Sequence, residues 1–215
     1  MAATAEPARP SSPTPRDKTL RRLVEAVNGL LAEGEDFTRL SVERIIGRAD
    51  IARSTFYAHY DGKGALLRAV GEDVVTQVLE ASRAWSALPD DAGREGLREA
   101  FAHFFGTYRR HASLMGAMAE VSSYDEDVRR EFSRLITVGG AELTAHVQQG
   151  QRSGSVRADV DPATTIRWLI WMVERGLYQL VRTARPKELE RHVEAVTGVV
   201  WASLYEGAPT RAPRA

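Results

Sequence analysis

Apolar residues recur every three to four positions along most of the chain. Leu20, Leu23, Val24, Val27, Leu30 and Leu31 fall on one helical face, which predicts a helix over 18–34 closed by Gly34. Ser41 can cap a short helix over 42–49 with Ile45 and Ile46 turned inward. Asp50 and Ile51 read as a turn, and 53–60 as a second short helix ended by "DGKG". A longer helix follows over 65–85, then others over 92–109, 112–121, 125–153, 161–184 and 187–206. No stretch alternates with the period of a strand, so the expected fold class is all-α.

The stretch over 49–67, "ADIARSTFYAHYDGKGALL", crowds polar and aromatic side chains into one short helix. Two short helices joined by a tight turn and backed by a third make a helix-turn-helix unit, whose second helix enters the DNA major groove. That helix is too short to hold itself, and Leu23, Val27, Ile45, Ile51 and Phe56 supply its apolar support. Its other side carries Arg53, Ser54, Thr55, Tyr57 and His59, donors suited to base edges and phosphates. Lys63 opens the next helix, whose free backbone N–H groups favour an anion. Tyr60 reads as partly buried.

Composition changes this picture in one respect. The 29 basic and 29 acidic residues of the 215 cancel, so total charge does not advertise a nucleic-acid partner. Between 38 and 68, however, Arg39, Arg44, Arg48, Arg53, Lys63 and Arg68 face only Glu43, Asp50 and Asp61. That local excess makes a basic patch the expectation there.

The segment "TRLSVERIIGRADIARSTFYAHYDGKGALLRAV" resembles the DNA-binding domain of the TetR/AcrR transcriptional regulators. The resemblance rests on Ser41, Val42, Ile45, Ala49, Ile51, Thr55, Tyr57, His59, Tyr60, Lys63 and Leu66. It implies double-stranded DNA contacts from Ser41, Arg44, Arg53, Ser54, Thr55, Tyr57, His59, Tyr60 and Lys63. Three positions depart from the family's pattern. Asp50 stands for the usual turn glycine, Ala52 for the capping serine and Gly64 for a common glutamate. Further along, "HFFGTYRRH", "WMVERGLY" and "VVWASLYEG" resemble the ligand-binding domain of the ethionamide-response (EthR-type) repressors.

A reader of this kind needs about fifty residues, so the remaining helices require another purpose. The helices over 161–184 and 187–206 are apolar on more than one face, which suits burial on both sides. One face can serve the core and the other a homodimer, whose two-fold symmetry matches a palindromic operator. Phe104, Tyr108, Met118, Phe132, Ile136, Ile170, Val173, Glu174, Leu177 and Trp201 come from helices that should converge. The same residues would fill an ordinary core; the resemblance assigns them to a pocket for a small apolar or amphipathic effector. Glu174 stands among apolar neighbours and reads either as a solvent-reaching pair for an arginine or as the pocket's polar anchor. Gly139 and Gly140, costly within a helix, leave room for a ligand or mark a close crossing.

There is no cysteine, no paired-histidine metal motif, no glycine-rich phosphate loop and no nucleophile turn. A non-enzymatic protein without cofactor or metal is therefore expected. The start lacks an apolar signal core and no apolar run would span a bilayer, which points to a cytoplasmic protein with no membrane partner. The expected division is a disordered tail over 1–17, the reader over 18–66, the effector and dimerisation domain over 67–207, and a second tail over 208–215. The reading is a ligand-responsive repressor. An effector-dependent activator and a helical adaptor without DNA binding are the alternatives.

Overall fold

A computed structural model of the chain describes residues 15–207. The tails expected at the two ends lie outside the described residues, except that the first helix already begins at Pro15. Among the described residues every regular element is helical: α1 (Pro15–Ala32), α2 (Val42–Ala49), α3 (Arg53–Tyr57), α4 (Lys63–Ser86), α5 (Gly93–Arg110), α6 (Ala112–Val121), α7 (Glu126–Ser153), α8 (Pro162–Gly176) and α9 (Pro186–Leu204).

Local chemistry sets most of the boundaries. Ser41 accepts the Arg44 N–H at 3.0 Å and caps α2. Asp125 and Asp161 do the same for α7 and α8. Gly34 ends α1 at φ 88°, where a glycine carries no steric cost. Asp50 ends α2 at φ 50°, the left-handed conformation that Asp tolerates better than most residues.

Two hydrophobic cores share the structure. The first joins α1, α2 and α3 to the start of α4, and reaches into α6 through Leu114, Ala117, Met118 and Val121. The second packs the end of α4 with α5, α7, α8 and α9. Helix α4 belongs to both: Leu66, Leu67 and Val70 sit in the first, Val78 and Trp85 in the second. It crosses α6 closely, since a Cβ on Gly71 would stand 2.7 Å from the Met118 sulfur.

The expected helix over 161–184 is not continuous. Its last turn, Leu177–Val181, widens to π geometry, and the Arg182 N–H reaches the Leu177 carbonyl at 3.0 Å. The wide turn keeps both Leu177 and Val181 in the core while Leu180 faces outward.

Candidate DNA interface and effector cavity

Helix α3 is a five-residue helix whose Phe56 is fully buried. Burying that ring turns Arg53, Ser54, Tyr57 and His59 outward, with Thr55 half-buried beside them. Tyr57 is 44% exposed, packed edge-on against Phe56 with the Arg53 guanidinium over its ring. Ala52 gives α3 no side-chain cap. The chain turns out after Phe56, whose carbonyl accepts from both His59 and Tyr60. Helix α3 is thus shorter than the expected 53–60.

Two of the residues expected at the DNA face lie elsewhere. Tyr60 is buried against Phe56, its backbone turned inward by the end of α3. The Lys63 ammonium also points inward. It donates to the carbonyls of Phe37, Thr38 and Leu40 at 3.0, 2.7 and 3.0 Å. Burial pushes its pKa below the usual lysine value, and Asp36 opposes that shift. Lys63 thus clamps the loop between α1 and α2. Ser41 and Arg44 stay at the surface, the first engaged as the cap of α2.

The basic patch is neutralised more fully than its own segment suggests. Arg53 pairs with Glu43 at 2.6 Å, Arg44 with Glu35 at 2.7 Å and Arg48 with Glu33 at 2.6 Å. Glu33 and Glu35 lie just after α1, before the segment 38–68 begins, so the charge excess over that segment counted the cations and left these partners out. A further pair escaped the sequence altogether. Arg22 on α1 donates to the Asp50 carbonyl at 2.6 Å and to its carboxylate at 2.8 Å. It fixes the turn that aims α3, across 28 positions that give no local signal.

The second core contains a partly open cavity of about 110 Å³. Phe104, Tyr108, Phe132, Ile136, Ile170, Val173, Glu174 and Leu177 line it. Met118 and Trp201 do not. Met118 is fully buried in the first core under Gly71, and Trp201 stacks on Tyr205. Helix α4 supplies a wall that the sequence reading left out: Val78, Leu79, Ser82 and Trp85, at the spacing of one helical stripe. Trp85 is held by its indole N–H, which donates to the Tyr205 hydroxyl at 2.9 Å. Of the two unusual glycines, Gly139 lines the cavity. Gly140 marks a close crossing, because a Cβ there would stand 3.2 Å from Ile170.

Residues 97–206 match the model of the C-terminal domain of the transcriptional regulator EthR, and residues 31–70 match that of the bacterial regulatory proteins of the tetR family. The chain belongs to the TetR family, with an EthR-type C-terminal domain. Its similarity to the HTH-type transcriptional regulator EthR of Mycobacterium tuberculosis is 24% identity over 200 residues, 93% of this chain and 92% of that one. The same architecture is seen in the fatty acid degradation regulator FadR from Bacillus halodurans. That match has a TM-score of 0.69 at 15% identity, over 94% of this chain and 100% of the other. It is seen again in a SmeT–triclosan complex, with a TM-score of 0.69 at 20% identity over 92% and 98% of the two chains.

TetR-family regulators bind DNA and are typically dimeric. This member leaves a large apolar surface on α8, its wide turn and α9. Trp168 is 74% exposed, and Trp171, Met172, Leu180 and Val199 are exposed with it. Among the described residues no three His, Asp or Glu side chains are placed to hold a metal ion. No described helix is long and apolar enough to cross a membrane.

Proposed function

We propose that this TetR-family regulator is a repressor that binds a palindromic operator as a homodimer in the cytoplasm and is released by a small, mostly apolar effector. The observation that carries the proposal is the double membership of α4. The helix seats the reader through Leu66, Leu67 and Val70, and walls the cavity through Val78, Leu79 and Trp85. A change in the cavity that moves α4 therefore moves α3. The dimer would close over Trp168, Trp171 and Leu180, whose exposure is costly in an isolated chain. That SmeT, a protein of the same fold, forms a complex with triclosan lends support to a small-molecule effector.

The cavity's size bears on how the switch works. Ligand pockets commonly enclose about 300–1,000 Å³, several times the 110 Å³ found here. An effector of ordinary size must push side chains apart, so it binds the expanded state better than the closed one. That differential affinity is what shifts an equilibrium between conformations.

Selection of bound fragments from a random DNA library, followed by affinity measurements across a salt series, tests this function. A palindromic site whose binding weakens steeply with salt is the expected result. A folded dimer that selects no sequence would sink the repressor reading. Selection that appears only with an apolar ligand present would turn it into an activator.

A further inference from the structure

The cavity wall contains one group that apolar packing does not explain. Glu174 lies on α8 with its side chain 11% exposed, facing a space walled by Trp85, Phe101, Phe104 and Phe132. Its Oε2 atom is buried and has no hydrogen-bond partner among the described residues. The nearest cation, Arg175, stands 3.9 Å away, beyond hydrogen-bond distance, and its own side chain is 64% exposed. Tyr108 on α5, also in the wall, feels the Glu174 charge but makes no hydrogen bond to Oε2. Ser82 returns its hydroxyl hydrogen to the Leu79 carbonyl at 2.7 Å.

A buried carboxylate oxygen without a donor is a standing cost. Burial raises the Glu174 pKa, the response expected of a carboxyl group held away from water, and Arg175 only partly offsets it. A neutral apolar ligand would fill the cavity and leave that cost in place. An anionic ligand would add to it. A ligand bearing N–H donors and a positive charge would remove it, and the aromatic faces around the carboxylate also favour a cation.

We propose that the cavity is selective for a protonated amine carried on a compact apolar body, with the ammonium group set against Glu174. The inference rests on reading the cavity as the effector site and adds the chemical class of the effector.

Isothermal titration of the full-length protein at pH 7.5 tests it with three probes that share one apolar body: 4-phenylbutylamine, 4-phenyl-1-butanol and 4-phenylbutyrate. The amine is expected to bind at least tenfold tighter than the alcohol, and the carboxylate more weakly than either. In E174Q, shown to be folded by its thermal melt, the amine should fall to the alcohol's affinity. Equal affinity of amine and alcohol for the wild type overturns the proposal, as does an amine preference that survives in E174Q. In both cases alcohol binding leaves the apolar-effector reading standing. If no probe of this body binds, that reading fails together with the proposal.

Discussion

Asp125 caps α7 with one carboxylate oxygen and lays the other against Gly64 in the first turn of α4. The capping bond to the Val128 N–H is 3.0 Å long, and a Cβ on Gly64 would stand 2.0 Å from the second oxygen. Arg68, one turn on, faces Asp125 at 3.7 Å and Asp127 at 3.1 Å. The acidic start of α7 is therefore docked on the helix that supports the reader. A carboxylate already lies against the helix end that the sequence seemed to offer to a DNA phosphate, a favourable place for negative charge.

Gly64→Ala should force Asp125 off that position and weaken the cap of α7. The expected loss is about 1 kcal/mol, the usual worth of such a cap, or a Tm fall of about 2–4 °C for a chain of this size. In an Asp125→Ala background the same glycine substitution should cost almost nothing, since the obstacle is gone. Thermal melts of the two single variants and the double variant check this. Fully additive losses would show that the contact is not what requires glycine.

Lys63→Met keeps the apolar stem and removes the ammonium that three carbonyls share. Hydrogen bonds from a charged donor contribute about 1.5–3 kcal/mol, so a loss of about 2 kcal/mol in urea denaturation is expected. Amide exchange should quicken over the loop at 37–41. An unchanged midpoint with weakened DNA binding would instead return Lys63 to the phosphate-contacting role that its sequence position suggested.

How much of this was legible in the sequence depended on how local the cause was. Gly34, Ser41 and Asp50 act on backbone within a few residues, and their patterns placed the helix ends. The apolar stripes of α5, α7 and α8 led to most of the cavity wall. Lys63 was placed at a helix start correctly, yet its direction depends on carbonyls more than twenty residues away. Met118 carries the same periodicity as a pocket residue, and only the close approach of Gly71 assigns it to the other core. The wide turn at Leu177–Val181 has no signature of its own, because it answers to packing against neighbouring helices.

Glu43 holds Arg53 at 2.6 Å and places a negative charge beside the recognition helix. The pair is exposed, so its own contribution to stability is small, about 0–1 kcal/mol. Glu43→Gln should free the guanidinium and tighten binding to duplex DNA about two- to fivefold at low salt, with the gain shrinking as salt rises. Fluorescence anisotropy with a labelled duplex reads this directly. Weaker binding by Glu43→Gln would mean that the pair pre-positions Arg53 for its contact.

Trp168 and Leu180 stand 74% and 53% exposed in the single chain. If α8 and α9 form the dimer interface, a charge at either place must be buried unpaired or the dimer must open. Trp168→Glu and Leu180→Glu should each shift sedimentation toward the monomer, by at least tenfold in dissociation constant, while the helical circular dichroism stays unchanged. A dimer as tight as the wild type in both variants would move the interface to another face.

Glu174 gives a dependence on pH whose sign follows from its burial. Its native pKa is raised, so the folded chain holds this proton to higher pH than the unfolded chain does. Stability contributed by this group falls as pH rises from the unfolded value of about 4.3 through the native one, and the penalty is complete above that. The charged and titratable groups that bear on it are Arg175 on its own helix and Tyr108 on α5, which Arg182 and Tyr178 also face. Glu174→Leu removes the group, so ligand-free variant protein should be more stable than wild type by about 1 kcal/mol at pH 7.5. The pH-dependent part of that difference should vanish below about pH 3, where the carboxyl group is protonated in both folded and unfolded chains. An offset that stays constant from pH 4 to 8 would assign the gain to packing in the cavity and not to the buried charge.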